Sequence, residues 1–173
     1  MRLYSGKVPV IASEIVGRLV GDGDIESSNP KEVELDIAAI LNEYIKTERH
    51  VSEKAKDLME RRGLSYNQFG KIKRQTAEDM GFLMGEEGIS WMCNQILDFF
   101  MHQSEFVEEI FVDDHVMRSK MKEVFNKHMM VDEELDKEVR DRIRNLEEGS
   151  TAWEVEYKKM MEQIRRKHGL EKR

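Results

Sequence analysis

The residues best suited to bind metal or to move protons near neutral pH are the five histidines His50, His102, His115, His128 and His168. Di-metal helical bundles use Glu-x-x-His pairs, because a three-residue step puts both ligands on one inward helix face. The residues three before these histidines are Thr47, Phe99, Val112, Phe125 and Arg165. None is a carboxylate, so the spacing fails. A His-Glu-x-x-His zinc motif is absent, and one cysteine cannot build a thiolate cluster. Asp22-Gly23-Asp24-Ile25-Glu26 resembles a calcium loop but lacks the alternate ligands and the closing glutamate, and reads as a solvated acidic turn. Gly81, Gly85 and Gly88 form no phosphate loop: no Gly-Lys-Ser/Thr follows, and Glu86 and Glu87 would repel phosphate. No catalytic residue, metal ligand or cofactor is therefore assigned. Cys93 lies in an apolar, acidic-flanked segment and reads as a small buried hydrophobe rather than a reactive thiol. His128 falls on an apolar helix seam and reads as a hydrogen-bonded core or boundary residue; a catalytic or ligand-binding role would need a partner carboxylate.

Charge is the remaining chemical signal. Lysine and arginine number 28 against 35 aspartates and glutamates, for a net charge of −7. That balance argues against a generic nucleic-acid binder, which needs a basic surface to displace counterions. The charge is segregated, however. Residues 85–117 hold eight acids and no lysine or arginine, and residues 22–43 hold seven acids against Lys31. Residues 54–84 hold seven basic side chains against four acids, and residues 136–173 hold eleven against nine. Either these are solvated faces of long mixed-charge helices, or the basic stretches touch an acidic partner such as RNA, DNA or an acidic protein surface. On the second reading the binding candidates are Lys71, Lys73, Arg74, Arg140, Arg144, Lys158 and Lys159.

The elements that must position these groups are helices. Charged residues reach 36% and prolines number two, a combination typical of long helices with one buried stripe. A first helix begins near Pro9, buries Ile11, Ala12, Ile15, Val16, Leu19 and Val20, and stops at Gly21 and Gly23. A second is capped by Asn29, starts at Pro30 and runs without glycine or proline to Arg62, roughly 48 Å at 1.5 Å per residue. Its seam reads Val33, Ile37, Ile40, Tyr44, Val51, Ala55 and Leu58, with a gap at Thr47 and Glu48. Ser65 caps a third helix with Phe69, Ile72, Thr76, Met80 and Leu83 inward. A fourth carries Ile89, Met92, Cys93, Ile96, Leu97, Phe100 and Met101. A fifth, capped by Asp113 and Asp114, has the seam Met117, Met121, Val124, His128, Val131, Leu135, Val139 and Arg142. A sixth carries Trp153, Tyr157, Met160, Met161 and Ile164 and ends at His168-Gly169. The twelve methionines fall mainly on the later seams and read as core filling, although Met-rich grooves also accept varied partners.

Three helices followed by three of matching length predict an internal repeat. A shift of about 81 pairs Ile11 with Met92, Ile15 with Ile96 and Leu19 with Phe100. A shift of about 84 pairs Val33 with Met117, Ile37 with Met121, Val51 with Leu135 and Phe69 with Trp153. The expected fold is all-α: a tandem pseudo-twofold repeat of three helices, 1–84 and 85–173, sharing a central antiparallel four-helix bundle from which two helical-hairpin arms project. The link 81–88 would serve as a hinge. The function expected of this shape is a non-enzymatic interaction module that holds a partner protein or small ligand in the groove between the arms. Nucleic-acid association through the basic arms is the alternative. An enzyme with a site assembled in the inter-arm cleft is a third reading. No apolar run is long enough for a membrane span, no signal peptide is visible, and a lone cysteine suits the cytoplasm.

The opening Met1-Arg2-Leu3-Tyr4-Ser5-Gly6-Lys7-Val8-Pro9-Val10-Ile11, followed by Gly21-Asp22-Gly23-Asp24-Ile25-Glu26, resembles the bacterial domain of unknown function 507 family over the whole chain. The resemblance implies a helical protein and supplies no catalytic residue.

Overall fold

The computed structural model describes residues 2–168, so Gly169 and the basic stretch beyond it lie outside the described residues. Among the described residues there are six α-helices: α1 (Val8–Gly21), α2 (Pro30–Arg62), α3 (Phe69–Met80), α4 (Gly85–His102), α5 (Asp114–Arg142) and α6 (Thr151–Lys167). The fold is all-α apart from one two-residue ladder, β1 (Ile25–Glu26) antiparallel to β2 (Glu109–Ile110), with Ile25 opposite Ile110. The ladder was not anticipated from the residues.

Local chemistry sets the helix ends. Pro9 occupies the first turn of α1, where a missing N–H costs nothing. Gly63 follows α2 with φ 62°, which lets the Leu64 N–H turn back to the Met59 carbonyl at 2.9 Å. The Ser150 hydroxyl accepts from the Trp153 N–H at 3.2 Å and caps α6. Ser65 does not cap α3 with its side chain; a 3₁₀ turn, Tyr66–Gln68, intervenes.

The buried faces follow the expected period with a drift. On α2 the buried residues are Val33, Ile37, Leu41, Tyr44, Glu48, Val51, Ala55 and Met59, so Leu41 and Met59 replace Ile40 and Leu58. The gap at 47–48 is filled by Glu48, only 8% exposed. On α5 the buried residues are Met117, Met121, Val124, Phe125, Met129, Asp132, Leu135 and Val139, with Ile143 buried just beyond its end. Asp132, 1% exposed, takes the place expected for Val131, and Ile143 that expected for Arg142.

The chain forms two compact units. The first comprises Met1–Glu48 and Leu83–Met130; the second comprises Arg49–Phe82 and Val131–Arg173. Apart from Leu83 and Met84, each unit draws one segment from either side of the 84/85 division, and α2 and α5 each contribute to both.

In the first unit, α1 runs antiparallel to α5. Arg18 pairs with Glu123 at 2.6 Å, Lys127 with Glu14 at 2.7 Å, and Lys120 with Asp22 at 2.9 Å and Asp24 at 2.6 Å. On α4 the first turn meets α2, where the Tyr44 hydroxyl donates to the Leu83 carbonyl at 2.8 Å. These polar links join α1 to α5 and the entry to α4 to α2, so each short helix meets the long helix on the other side of the 84/85 division. Ile11, Ile15, Leu19, Met92, Ile96, Met121 and Phe125 are all fully buried in this unit.

The second unit contains both hairpins. One buries Ala55, Met59 and Ile72, with Phe69 packed alongside; the other buries Leu135, Val139, Ile143 and Ile164 under Trp153, Tyr157 and Met160. Expected from the spacing to project as separate arms, the hairpins instead belong to one unit. Lys56 of the first bonds Glu154 of the second at 3.0 Å, and Tyr66 stands where a Cβ on Gly149 would meet it at 3.0 Å.

Candidate functional site

The seven basic candidates all lie in the second unit. Lys71 and Arg74 are exposed on α3, Lys73 beside them is half-buried, Arg144 is exposed just after α5, and Lys158 and Lys159 are exposed on α6. Arg140 is already committed. Its Nε donates to Asp136 at 2.8 Å, its Nη1 bonds Glu148, and its guanidinium lies 5.3 Å from the Trp153 ring centroid. A stacked, doubly paired guanidinium packs the hairpin rather than awaiting a phosphate. The second unit carries nineteen lysines and arginines against seventeen acids, close to balance. The first carries nine against eighteen, so the acidic excess of the chain resides there.

His128 does have a carboxylate partner. Its Nε2 contacts Glu14, whose other oxygen accepts from Lys127 at 2.7 Å. Hydrogen bonds from Lys127 and then His128 hold the Glu14 carboxyl below its ordinary range. The trio links α1 to α5, and among the described residues no further hydrogen-bond partner joins it, so the geometry is that of an interhelix clamp.

Cys93 is buried on α4, and burial pushes its thiol up to about 12 against the weaker pull of Lys122 and Arg118. A thiol so little ionised reacts slowly. At pH 8 a maleimide is therefore expected to label the native protein far more slowly than the denaturant-unfolded chain. Labelling of the native state at the unfolded rate, read by intact mass, would contradict the placement.

The first unit carries a cleft of about 740 Å³ lined by Leu83, Glu86, Glu87, Ile89, Ser90, Trp91, Asn94, Lys122 and Asn126. Its walls follow from helical spacing. Positions 87, 91 and 94 share one face of α4, and positions 122 and 126 share one face of α5. The Arg118 Nε donates to the Asn94 amide oxygen at 3.0 Å and ties the two walls together.

Below the cleft, Tyr44 fixes the approach of α4. Its hydroxyl is held by the Leu83 carbonyl, its ring lies 5.9 Å from that of Trp91, and Gly88 leaves space for it. Burial and then the nearby Glu48 charge raise the Tyr44 phenol above its ordinary range, so it stays protonated as a donor. Leu83 and Trp91 are thus held in place although 41% and 38% exposed. Glu86, Glu87, Ser90, Lys122 and Asn126 have no hydrogen-bond or ion-pair partner among the described residues. Most basic groups of the same unit, including Arg2, Arg18, Lys120 and Lys127, do.

None of these lining residues was singled out for binding from the sequence except through the acidity of Glu86 and Glu87. The available signal was Trp91, a large aromatic one position outside the apolar stripe of α4. No group of three or more His, Cys, Asp or Glu side chains among the described residues is placed to hold a metal ion. No helix there is long and apolar enough to cross a membrane.

No curated protein matches the chain. The family model described as "Protein of unknown function (DUF507)" matches residues 1–170. With nearly its entire length covered, the chain belongs to the DUF507 family, and its function is unknown.

Proposed function

We propose that this protein is a non-enzymatic binding module and that its ligand or partner occupies the cleft between α4 and α5. One observation carries the reading: a pre-positioned apolar pair, Leu83 and Trp91, stands among side chains of Glu86, Glu87, Ser90, Lys122 and Asn126 that have no hydrogen-bond or ion-pair partner among the described residues. A few convergent polar groups around an exposed aromatic anchor are the usual make-up of a recognition site. The groove expected between two arms is the less favourable location, because Lys56–Glu154 and Tyr66 at Gly149 bridge the hairpins. Nucleic-acid association through Lys71, Lys73, Arg74, Arg144, Lys158 and Lys159 is weakened by the near balance of charge around them.

The same proposal takes the chain as two tandem repeats, 1–84 and 85–173, related by a pseudo-twofold, with the four helical segments of the first unit as an antiparallel bundle. Three features support it. The segments after α1 and after α4 pair with each other as an antiparallel ladder, as twofold-related segments do. The links between halves are reciprocal, α1 to α5 and α4 to α2. Glu48 and Asp132, 84 positions apart, are the buried acids of the two long helices.

The test is an NMR screen of the full chain against fragments, metabolites and short peptides, read by amide shifts and by thermal stabilisation. Hits are expected to move resonances of residues 83–94 and 122–126 and to lose affinity on Trp91→Ala. A screen whose hits all map elsewhere would overturn the cleft as the binding site.

A further inference from the structure

We infer that the cleft recognises a basic segment of a partner protein, with an arginine or lysine side chain seated against Trp91, Glu86 and Glu87. This inference rests on the cleft being the binding site and adds the chemistry of its occupant. The α4 wall presents two carboxylates, five and four residues before an exposed indole in the sequence, and all three line the cleft. A carboxylate pair beside an aromatic face is the setting in which a cation gains both charge-assisted hydrogen bonds and cation–π attraction. The field of the whole unit acts in the same sense. With nine basic residues against eighteen acids it draws cations in and turns phosphates away. Within the same unit burial, and to a lesser degree the charges of Glu32 and Glu105, hold the Asp36 carboxyl above the usual range.

The α5 wall separates a peptide from a bare polycation. Lys122 lines the cleft and would repel a polyamine, which has nothing to accept its protons. A peptide backbone supplies carbonyl oxygens for Lys122, and Ser90 and Asn126 offer both donors and acceptors to its amides. The occupant that satisfies both walls carries a positive side chain on a polar, hydrogen-bonding backbone.

The experiment titrates the isotope-labelled full chain with four probes at matched concentration: capped hexapeptides bearing two arginines, two glutamines or two glutamates, and spermidine. The arginine peptide is expected to shift residues 83–94 and 122–126 and to bind about tenfold more weakly to E86Q/E87Q and to W91A, a loss of about 1.4 kcal/mol in each case. The glutamine and glutamate peptides are expected to leave the cleft unmoved.

Five results would overturn the inference. Equal binding by the neutral or acidic peptide would remove the cationic requirement yet leave the cleft as a site. Spermidine binding as tightly as the arginine peptide would remove the backbone. Unchanged affinity in E86Q/E87Q would reduce the attraction to the diffuse field of the unit. Cleft shifts that grow with protein concentration before any probe is added would make a second copy of this chain the occupant. Silence from all four probes would also refute the basic segment, whereas the binding-module reading falls only if the broader screen places its hits elsewhere.

Discussion

Replacing Gly88 with alanine is expected to destabilise the protein by about 2 kcal/mol, despite alanine's advantage of roughly 1 kcal/mol inside a helix. A Cβ at this position would stand 2.8 Å from the Leu83 carbonyl oxygen, closer still to the Tyr44 hydroxyl, and 3.1 Å from Tyr44 Cζ. The Leu83 oxygen is backbone and yields only if the whole entry to α4 moves. The phenol yields by swinging away, which breaks its 2.8 Å bond to that same oxygen. Overpacking and the lost hydrogen bond therefore add, and together exceed the propensity gain. Tyr44→Phe alone is expected to cost about 1 kcal/mol. G88A/Y44F should cost less than the sum of its parts, because removal of the hydroxyl relieves one of the two clashes. Urea denaturation of the four proteins measures this. An unchanged or raised midpoint for G88A would show that α4 does not approach Tyr44 as described. Because Leu83 and Trp91 are held by the same contact, peptide affinity should fall in G88A as well.

Much of the helical layout was legible because it is local. On α1 the apolar spacing identified Ile11, Ala12, Ile15, Val16 and Leu19, all of which are buried, and the glycines at 21 and 23 mark its end. The long helices were legible from an absence of breakers, since nothing between Lys31 and Arg62 interrupts the hydrogen-bond ladder. The errors on their faces have a common cause. A straight α-helix drifts by about 20° per heptad relative to a strict seven-residue repeat. A seam drawn as Ile40 and Leu58 therefore slips to Leu41 and Met59. The same slip hid Glu48 and Asp132, which a heptad places beside the core rather than in it.

What spacing alone could not supply was the pairing of faces. Ile25 and Ile110 form their ladder across 85 positions, and nothing local in either dipeptide announces a strand. Glu14 and His128 are each unremarkable on their own helices and become a pair only when α1 lies against α5. The cleft is of this kind too. The outward faces of α4 and α5 were readable as polar with one stray tryptophan, but that they line one cavity depends on which helices are neighbours. The charge partition was readable as well. Its meaning changed once the basic stretches proved nearly neutralised by acids of the same hairpins and the acidic stretches gathered in one unit.

The buried acid at the middle of α5 yields the second large effect. Asp132→Ala is expected to lower the unfolding free energy by about 2 kcal/mol. The Asp132 side chain is 2% exposed and accepts from Arg165 Nη2 of α6 at 3.1 Å. Removal of one member of a fully buried ion pair costs about 3–5 kcal/mol, because the other charge is stranded. Arg165 keeps 30% of its side-chain surface, so its guanidinium can recover part of its hydration and the cost falls toward the lower figure. The opposite outcome is expected when both charges go. Asp132→Leu with Arg165→Met fills the same seam with apolar volume and should restore stability to within about 1 kcal/mol of the natural protein, or raise it. Each single replacement should be clearly worse than the pair. The four proteins of this cycle give a coupling energy directly from their denaturation curves. A coupling under about 0.5 kcal/mol would mean that Asp132 is held by other neighbours and that Arg165 is incidental. A coupling above about 1 kcal/mol would make the pair a polar lock that docks α6 on α5 in one register, a role an all-leucine seam cannot fill because its layers are interchangeable.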